Sequence, residues 1–84
     1  MRYRRRGPEV DAVEWTGENL SALPEGAFRH FDWPDVAVVP ARRNDPHAMT
    51  VMVPLGFWVV TESDGYNTVL AGTTFRQRFE AVTA

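Results

Sequence analysis

The chain contains no cysteine and no lysine, and no apolar run in it approaches the roughly 18 residues that a membrane-spanning helix needs. Without cysteine, disulfides, thiolate metal sites and cysteine nucleophiles are excluded, and the chain is compatible with a reducing cytosol. The arginine-rich opening is not followed by the apolar region of a signal peptide. We therefore expect a cytoplasmic protein that does not associate with a membrane.

Sequence signatures of catalysis and of metal binding are also lacking. The six glycines are scattered and form no G-x-G phosphate loop. His30 and His47 each lie two residues from one aspartate, whereas a metal site needs three or four ligands. Ser21 and Ser63 occupy helix-start and turn contexts, where serine bonds nearby backbone. The sequence therefore predicts a non-enzymatic protein with no catalytic residues, no cofactor and no metal.

Positive charge is concentrated at the start of the chain. The stretch MRYRRR carries four of the nine arginines, and the rest of the chain has five arginines against eleven acidic residues, a net charge of -6. One hypothesis is that arginines hold the phosphates of a nucleotide signal or of a nucleic acid. The predicted phosphate-binding residues are Arg2, Arg4, Arg6, Arg42 and Arg43.

The other interpretation of the opening is structural. Alternation places Arg2, Arg4 and Arg6 on one face of a strand and Tyr3 on the other, so that Tyr3 packs inward. Arginines on an edge strand discourage sheet-to-sheet aggregation, and the surplus acids offer partners within the chain. We favour this edge strand over a nucleic-acid-binding arm.

Length and composition predict a single domain over residues 1–84, with 44% hydrophobic and 24% charged residues. Alternating or β-branched segments predict strands, and two short segments predict helical turns, the second with Phe75 and Phe79 on one face after a cap at Thr73 or Thr74. The expected fold is α+β: a mostly antiparallel sheet of about five or six short strands with one or two short helices. The strands are expected at 2–6, 10–16, 36–39, 49–53, 57–61 and 66–70, and the first helix at 18–23.

Within this fold the sequence predicts antiparallel pairing of 36–39 with 49–53 and a hairpin of 57–61 with 66–70. The segment 28–35 is expected to be irregular, with Phe28 or Phe31 buried. The predicted core consists of Val13, Trp15, Val38, Val51, Val59 and Phe79.

The aromatic residues exceed what one small core must bury. Phe57 and Trp58 are adjacent strand positions and point to opposite faces, so one of them lies away from the core unless the sheet is covered on both sides. The simpler interpretation is a half-buried spare aromatic residue. The alternative is an interface with a second copy or with a partner protein, where Trp and Arg are favoured anchors.

Trp33 in the stretch DWPD is the sharpest candidate for such an anchor. Pro34 fixes the loop, and Asp32 and Asp35 flank the indole, which suits a basic partner. The alternative is a tryptophan folded back as a lid on the core. The predicted partner-binding residues are Trp33, Asp32, Asp35, Phe57 and Trp58.

Four short motifs stand near the two ends of the chain: MRYRRRGP, VDAVEWTG, GFW at 56–58 and FRQRFE at 75–80. They resemble the motifs of a family of small, uncharacterised phage and prophage proteins. That family has an M-x-Y-R-x-x-P start followed by V-E-A-x-x-W-T-G, a G-D-W strand and an F-x-x-x-Y-E ending. The chain adds one residue before the proline, has Phe57 in place of the acid, and has Phe79 in place of the tyrosine.

The resemblance implies a phage accessory protein with a small α+β fold, and it brings no catalytic residues. It implies that the chain works in the host cytoplasm by binding a host protein and modulating host physiology or defence. A nucleotide signal or a nucleic acid is the alternative ligand.

Overall fold

The computed structural model describes residues 2–4, 9–43, 45 and 47–81 of the chain. Within them the backbone forms eight strands, one α-helix and one 3₁₀ turn. The strands are β1 (Arg2–Arg4), β2 (Glu9–Glu14), β3 (Phe28–Arg29), β4 (Ala37–Pro40), β5 (Thr50–Val53), β6 (Trp58–Thr61), β7 (Asn67–Leu70) and β8 (Glu80–Ala81). The helix α1 spans Gly72–Arg78 and the 3₁₀ turn spans Leu20–Ala22.

A five-stranded antiparallel sheet has the order β7-β6-β2-β1-β8. The sequence predicted that the first strand lies at an edge, and this prediction is wrong: β8 pairs with one side of β1 at Tyr3 and Arg4. The short C-terminal strand returns after α1 and takes the edge. The other side of β1 pairs with β2, which sets Arg2 opposite Asp11.

A three-stranded antiparallel sheet has the order β3-β4-β5 and confirms the predicted pairing of the two middle strands. The two sheets meet at a corner, where an antiparallel bridge joins Arg42 to Tyr66. Asn67, the buried polar residue of the described chain, reinforces this corner. Its Nδ2 donates to the Pro40 carbonyl oxygen at 2.8 Å, and its Oδ1 accepts from the Thr61 hydroxyl at 2.7 Å.

The main core lies between the two sheets. Trp15 is fully buried there, as the alternation of β2 predicts, and Val13 packs against the cluster. Strands β4 and β5 contribute their odd-numbered positions, and β6 contributes Val59. The buried members are Trp15, Leu23, Ala37, Val39, Val53 and Val59.

A second core covers the opposite face of the five-stranded sheet. Helix α1 packs there through Phe75, whose ring stacks on Trp58 at a centroid distance of 4.0 Å and on Phe79 at 4.9 Å. The predicted pairing of Phe75 with Phe79 on one face is thus confirmed. The sheet side of this core consists of Val10, Ala12 and Val60, with Trp58 and Leu70 packed against it.

The predicted helical details are partly wrong. The segment expected as a helix over 18–23 forms only the 3₁₀ turn, because Asn19 ties the preceding loop together instead of capping. Its Oδ1 accepts from the Thr16 amide and its Nδ2 donates to the Glu14 carbonyl oxygen. Helix α1 begins after Ala71 with no side-chain cap, so neither Thr73 nor Thr74 serves as one.

The fold is thus mostly β, with six strands of three or more residues among the described ranges, two sheets and one helix. It matches the α+β expectation only loosely. No helix in the part of the chain that the structure describes has the length and apolarity to cross a membrane.

Candidate functional site

One surface of the three-stranded sheet carries exposed apolar side chains. Val38 lies opposite Phe28 on β3 and opposite Met52 on β5, so the three side chains share one row. Val38 is buried between its neighbours, whereas Phe28 is 51% and Met52 is 54% exposed. Ala37, Val39 and Val53 point the other way, into the core between the sheets. We call this surface the outer face: Phe28, Val38, Met52, and the next row, Pro40 and Thr50.

An open groove of about 470 Å³ adjoins the outer face beyond Pro40 and Thr50. Glu25, Arg42 and Asp45 bring charged groups to it. The Arg42 guanidinium lies 5.2 Å from the centroid of the Tyr66 ring, and Asp45 Oδ1 accepts a hydrogen bond from the His47 amide at 2.9 Å. Glu25 is exposed. This end of the face therefore carries two carboxylates and one guanidinium.

The segment 30–36, which we call the Trp33 loop, closes the other end of the outer face. From the core side, the buried Trp15 indole donates from Nε1 to the Asp35 carbonyl oxygen at 2.8 Å. Arg29 donates to the Pro34 carbonyl oxygen at 3.2 Å and to the Gly17 carbonyl oxygen at 2.6 Å, while it lies 5.2 Å from the Trp15 ring centroid. The buried Trp15 and the exposed Arg29 thus fix the loop backbone.

The loop is also fixed from the outer side, by His30. Its Nδ1 accepts hydrogen bonds from the backbone amides of Asp32 at 3.1 Å and Trp33 at 3.3 Å. The His30 ring lies 4.6 Å from the Trp33 ring, tilted by 30°. A turn closes on the Val36 amide, which donates to the Trp33 carbonyl oxygen at 2.8 Å. Trp33 is nevertheless 57% exposed, so the loop holds an indole in place and presents much of it to solvent.

The predicted burial of Phe28 or Phe31 is wrong. Phe28 lies on β3 and faces outward, and Phe31 in the Trp33 loop is 93% exposed. The reason is that Trp15, Leu23, Val39, Val53 and Val59 already fill the space between the sheets. The aromatic residues of this segment are therefore surface features.

The five predicted partner-binding residues fall into two groups. Trp33, Asp32 and Asp35 are exposed together on the Trp33 loop. Phe57 and Trp58 point to opposite faces as predicted, but both faces are covered: Phe57 packs against the core between the sheets and Trp58 against the core under α1. The structure does not bring these two rings to the Trp33 loop.

The predicted phosphate-binding arginines are not gathered into one site within the described residues. Arg6 lies outside those residues, and Arg2 and Arg4 are placed by their backbone on β1. Arg42 lines the groove at the outer face. Arg43 instead lines a depression of about 330 Å³ at the end of the space between the sheets, beside Asp11 and Glu25.

Sequence reasoning missed Phe28, Met52 and the role of His30. A signal for the outer face was present: Met52 and Thr50 alternate with Val51 and Val53, and an apolar row opposite them on β4 has to be either covered or exposed. His30 gave no such signal. Within the described ranges, no group of three or more His, Asp or Glu side chains is arranged to hold a metal ion.

Comparisons with protein-family models, with curated proteins and with solved structures gave no match to this chain. The resemblance to the phage family therefore stays a prediction that rests on the motifs quoted above.

Proposed function

We propose that this chain is a non-enzymatic binding module that captures a partner protein on the outer face and the Trp33 loop. One observation carries the proposal: Phe28 and Met52 are each about half exposed beside the buried Val38 on one sheet face, and the half-exposed Trp33 lies on the loop at the end of that face, with its ring against His30. Apolar side chains gathered on one face of a folded domain are typical of an interaction site. Tryptophan is among the residues that most often dominate binding energy.

The construction of the Trp33 loop supports this function. Trp15, Arg29 and His30 hold its backbone by hydrogen bonds that do not use the Trp33 indole. An anchor that is ordered before binding loses less conformational entropy when the complex forms. The loop therefore suits recognition, since it keeps the indole in position at the cost of leaving it partly exposed.

The charges favour a protein over a polyanion. Asp32 and Asp35 flank Trp33, and Glu25 and Asp45 lie at the opposite end of the face. Carboxylates at these positions repel phosphates. The alternative function, in which arginines bind a nucleotide or a nucleic acid, has less support because Arg42 and Arg43 line different depressions.

The resemblance to phage and prophage proteins supplies the biological setting of the proposal. In that setting the partner is a host protein in the host cytoplasm, and binding modulates host physiology or defence. This part of the proposal rests on the sequence motifs at the two ends of the chain, and the outer face supplies the surface for it.

The test is affinity capture from bacterial host lysate with the full chain, with and without nuclease. We expect a protein that is retained after nuclease treatment, and whose retention falls with Trp33→Ala. Loss of the captured material on nuclease treatment would support the alternative. The nucleic-acid alternative also predicts that affinity falls steeply as salt rises. On duplex DNA the logarithm of the affinity falls with the logarithm of the salt concentration with a slope of about 0.9 per neutralised phosphate.

A further inference from the structure

We infer that the segment that docks on the outer face is an amphipathic helix with an apolar centre and arginine or lysine at both ends, and that a second copy of this chain is not the occupant. The inference rests on the proposed function and adds the chemistry of the partner.

The way in which the sheet faces are covered favours a helix as the docking segment. The five-stranded sheet is covered on one face by α1 and on the other by the three-stranded sheet. The outer face of the three-stranded sheet has no such cover among the described residues, although it carries the row Phe28, Val38 and Met52. A helix laid on an apolar sheet face is a standard way to bury it.

The length of the face fits a short helix. Successive rows on one face of a sheet are two residues apart, about 6.8 Å, so the four rows from His30 through Phe28 and Pro40 to Arg42 span about 20 Å. A helix rises about 1.5 Å per residue, so about 14 residues cover this distance. Its central turns would lie over Phe28 and Met52, and its two ends would lie over the charged groups.

Carboxylates outnumber guanidinium groups at both ends of the face. Asp32 and Asp35 are exposed at one end, and within the described residues it is the backbone atoms of both that bond to Trp15 and His30. Arg29, the nearby basic residue, is bonded to two carbonyl oxygens and lies opposite the inward-facing Ala37. The other end carries Glu25 and Asp45 against Arg42.

This distribution argues against a second copy. A symmetric dimer uses the same patch on both subunits, so each end of the face meets one end of the partner's face. Because carboxylates are in excess at both ends, parallel and antiparallel arrangements alike bring two ends of net negative charge together, which is unfavourable. A partner with basic ends and an apolar centre can pair with the carboxylates at both ends of the outer face.

The test uses two synthetic 14-residue helical peptides with the same leucine stripe, one with two arginines at each end and the other with two glutamates. Each is titrated into the full ¹⁵N-labelled chain. We expect the arginine peptide to shift the amides of Phe28, Val38 and Met52 and the indole of Trp33, and the glutamate peptide to bind at least about tenfold more weakly.

Charge variants separate the inference from the proposed function. Asp32→Asn with Asp35→Asn should weaken the binding of the arginine peptide by about twofold to thirtyfold, since the variant removes two exposed ion pairs that contribute about 0.2–1 kcal/mol each. Asp11→Asn, an exposed acid on the other sheet, should leave its affinity unchanged.

Three results would overturn the inference: equal binding of the two peptides, no shift at the outer face at millimolar peptide, or self-association of the chain that Met52→Ser abolishes. Equal binding through the face would leave the proposed function standing. If Met52→Ser and Trp33→Ala leave the amount of captured host protein unchanged, the proposed function is wrong.

Discussion

The indole nitrogen of Trp15 donates a 2.8 Å hydrogen bond to the backbone carbonyl oxygen of Asp35, twenty residues further along the chain. Trp15 is fully buried between the two sheets, whereas Asp35 is exposed on the Trp33 loop. This bond joins the core to the surface that we propose for binding. The position of the Trp33 loop therefore depends on the packing of one core residue.

Trp15→Phe should lower the free energy of unfolding by about 1–3 kcal/mol, because it removes the donor and leaves the Asp35 carbonyl oxygen without it. We also expect faster hydrogen exchange at the Val36 amide, which closes the turn onto the Trp33 carbonyl oxygen. Urea denaturation and hydrogen exchange measure the two effects. Unchanged exchange at Val36 would show that the loop keeps its position without this bond.

His30→Ala should loosen the Trp33 loop without unfolding the domain. The substitution removes the acceptor of two backbone amides, Asp32 and Trp33, and we expect exchange at both to rise. His30→Asn is the matched control, since its side-chain oxygen can accept from amides two and three residues on. If the alanine variant protects both amides as well as the wild type does, His30 does not organise the loop.

Asn67→Ala should destabilise the corner between the sheets by about 2–3 kcal/mol. The buried amide serves both the Pro40 carbonyl oxygen and the Thr61 hydroxyl, and its removal leaves these groups without a partner. Thr68→Ala, at the next and exposed position, should change stability by no more than about 0.5 kcal/mol. Equal denaturation midpoints for the two variants would contradict the role given to Asn67.

Trp33→Ala should leave the melting temperature nearly unchanged, because the side chain is 57% exposed and the bonds that fix its loop come from other residues. Its affinity for the captured partner should fall by about 2 kcal/mol or more, roughly 30-fold, as at an interface anchor. Calorimetry and a binding titration measure the two quantities. A large loss of stability would identify Trp33 as a structural lid.

Much of the strand pattern was predictable because local alternation dictates it. The face of Trp15, the pairing of β4 with β5 and the opposite directions of Phe57 and Trp58 all follow from the period of two in a strand. The division into two cores was not predictable, since it depends on which layer covers each face of the five-stranded sheet. Val38 is buried, as predicted, but in a different place, on the outer face.

The parts that could not be predicted depend on contacts between distant segments. The pairing of β1 with β8 joins the two ends of the chain, and no local pattern in MRYRRR indicates that it takes an interior position. The same holds for the Trp33 loop: the stretch DWPD leaves open whether the indole is exposed or folded back as a lid, and the supports of the loop come from Trp15, Arg29 and His30. The described part of the arginine-rich opening, β1, is thus a strand inside the sheet.

The most direct test of the central claim compares two methionines three positions apart. Met52 lies on the outer face at 54% exposure, whereas Met49 precedes β5 and is 81% exposed. With both variants folded, Met52→Ser should weaken partner binding at least about tenfold, as loss of a central apolar contact does, and Met49→Ser should match the wild type. Equal affinities of the two variants would contradict the claim that the outer face is the binding surface.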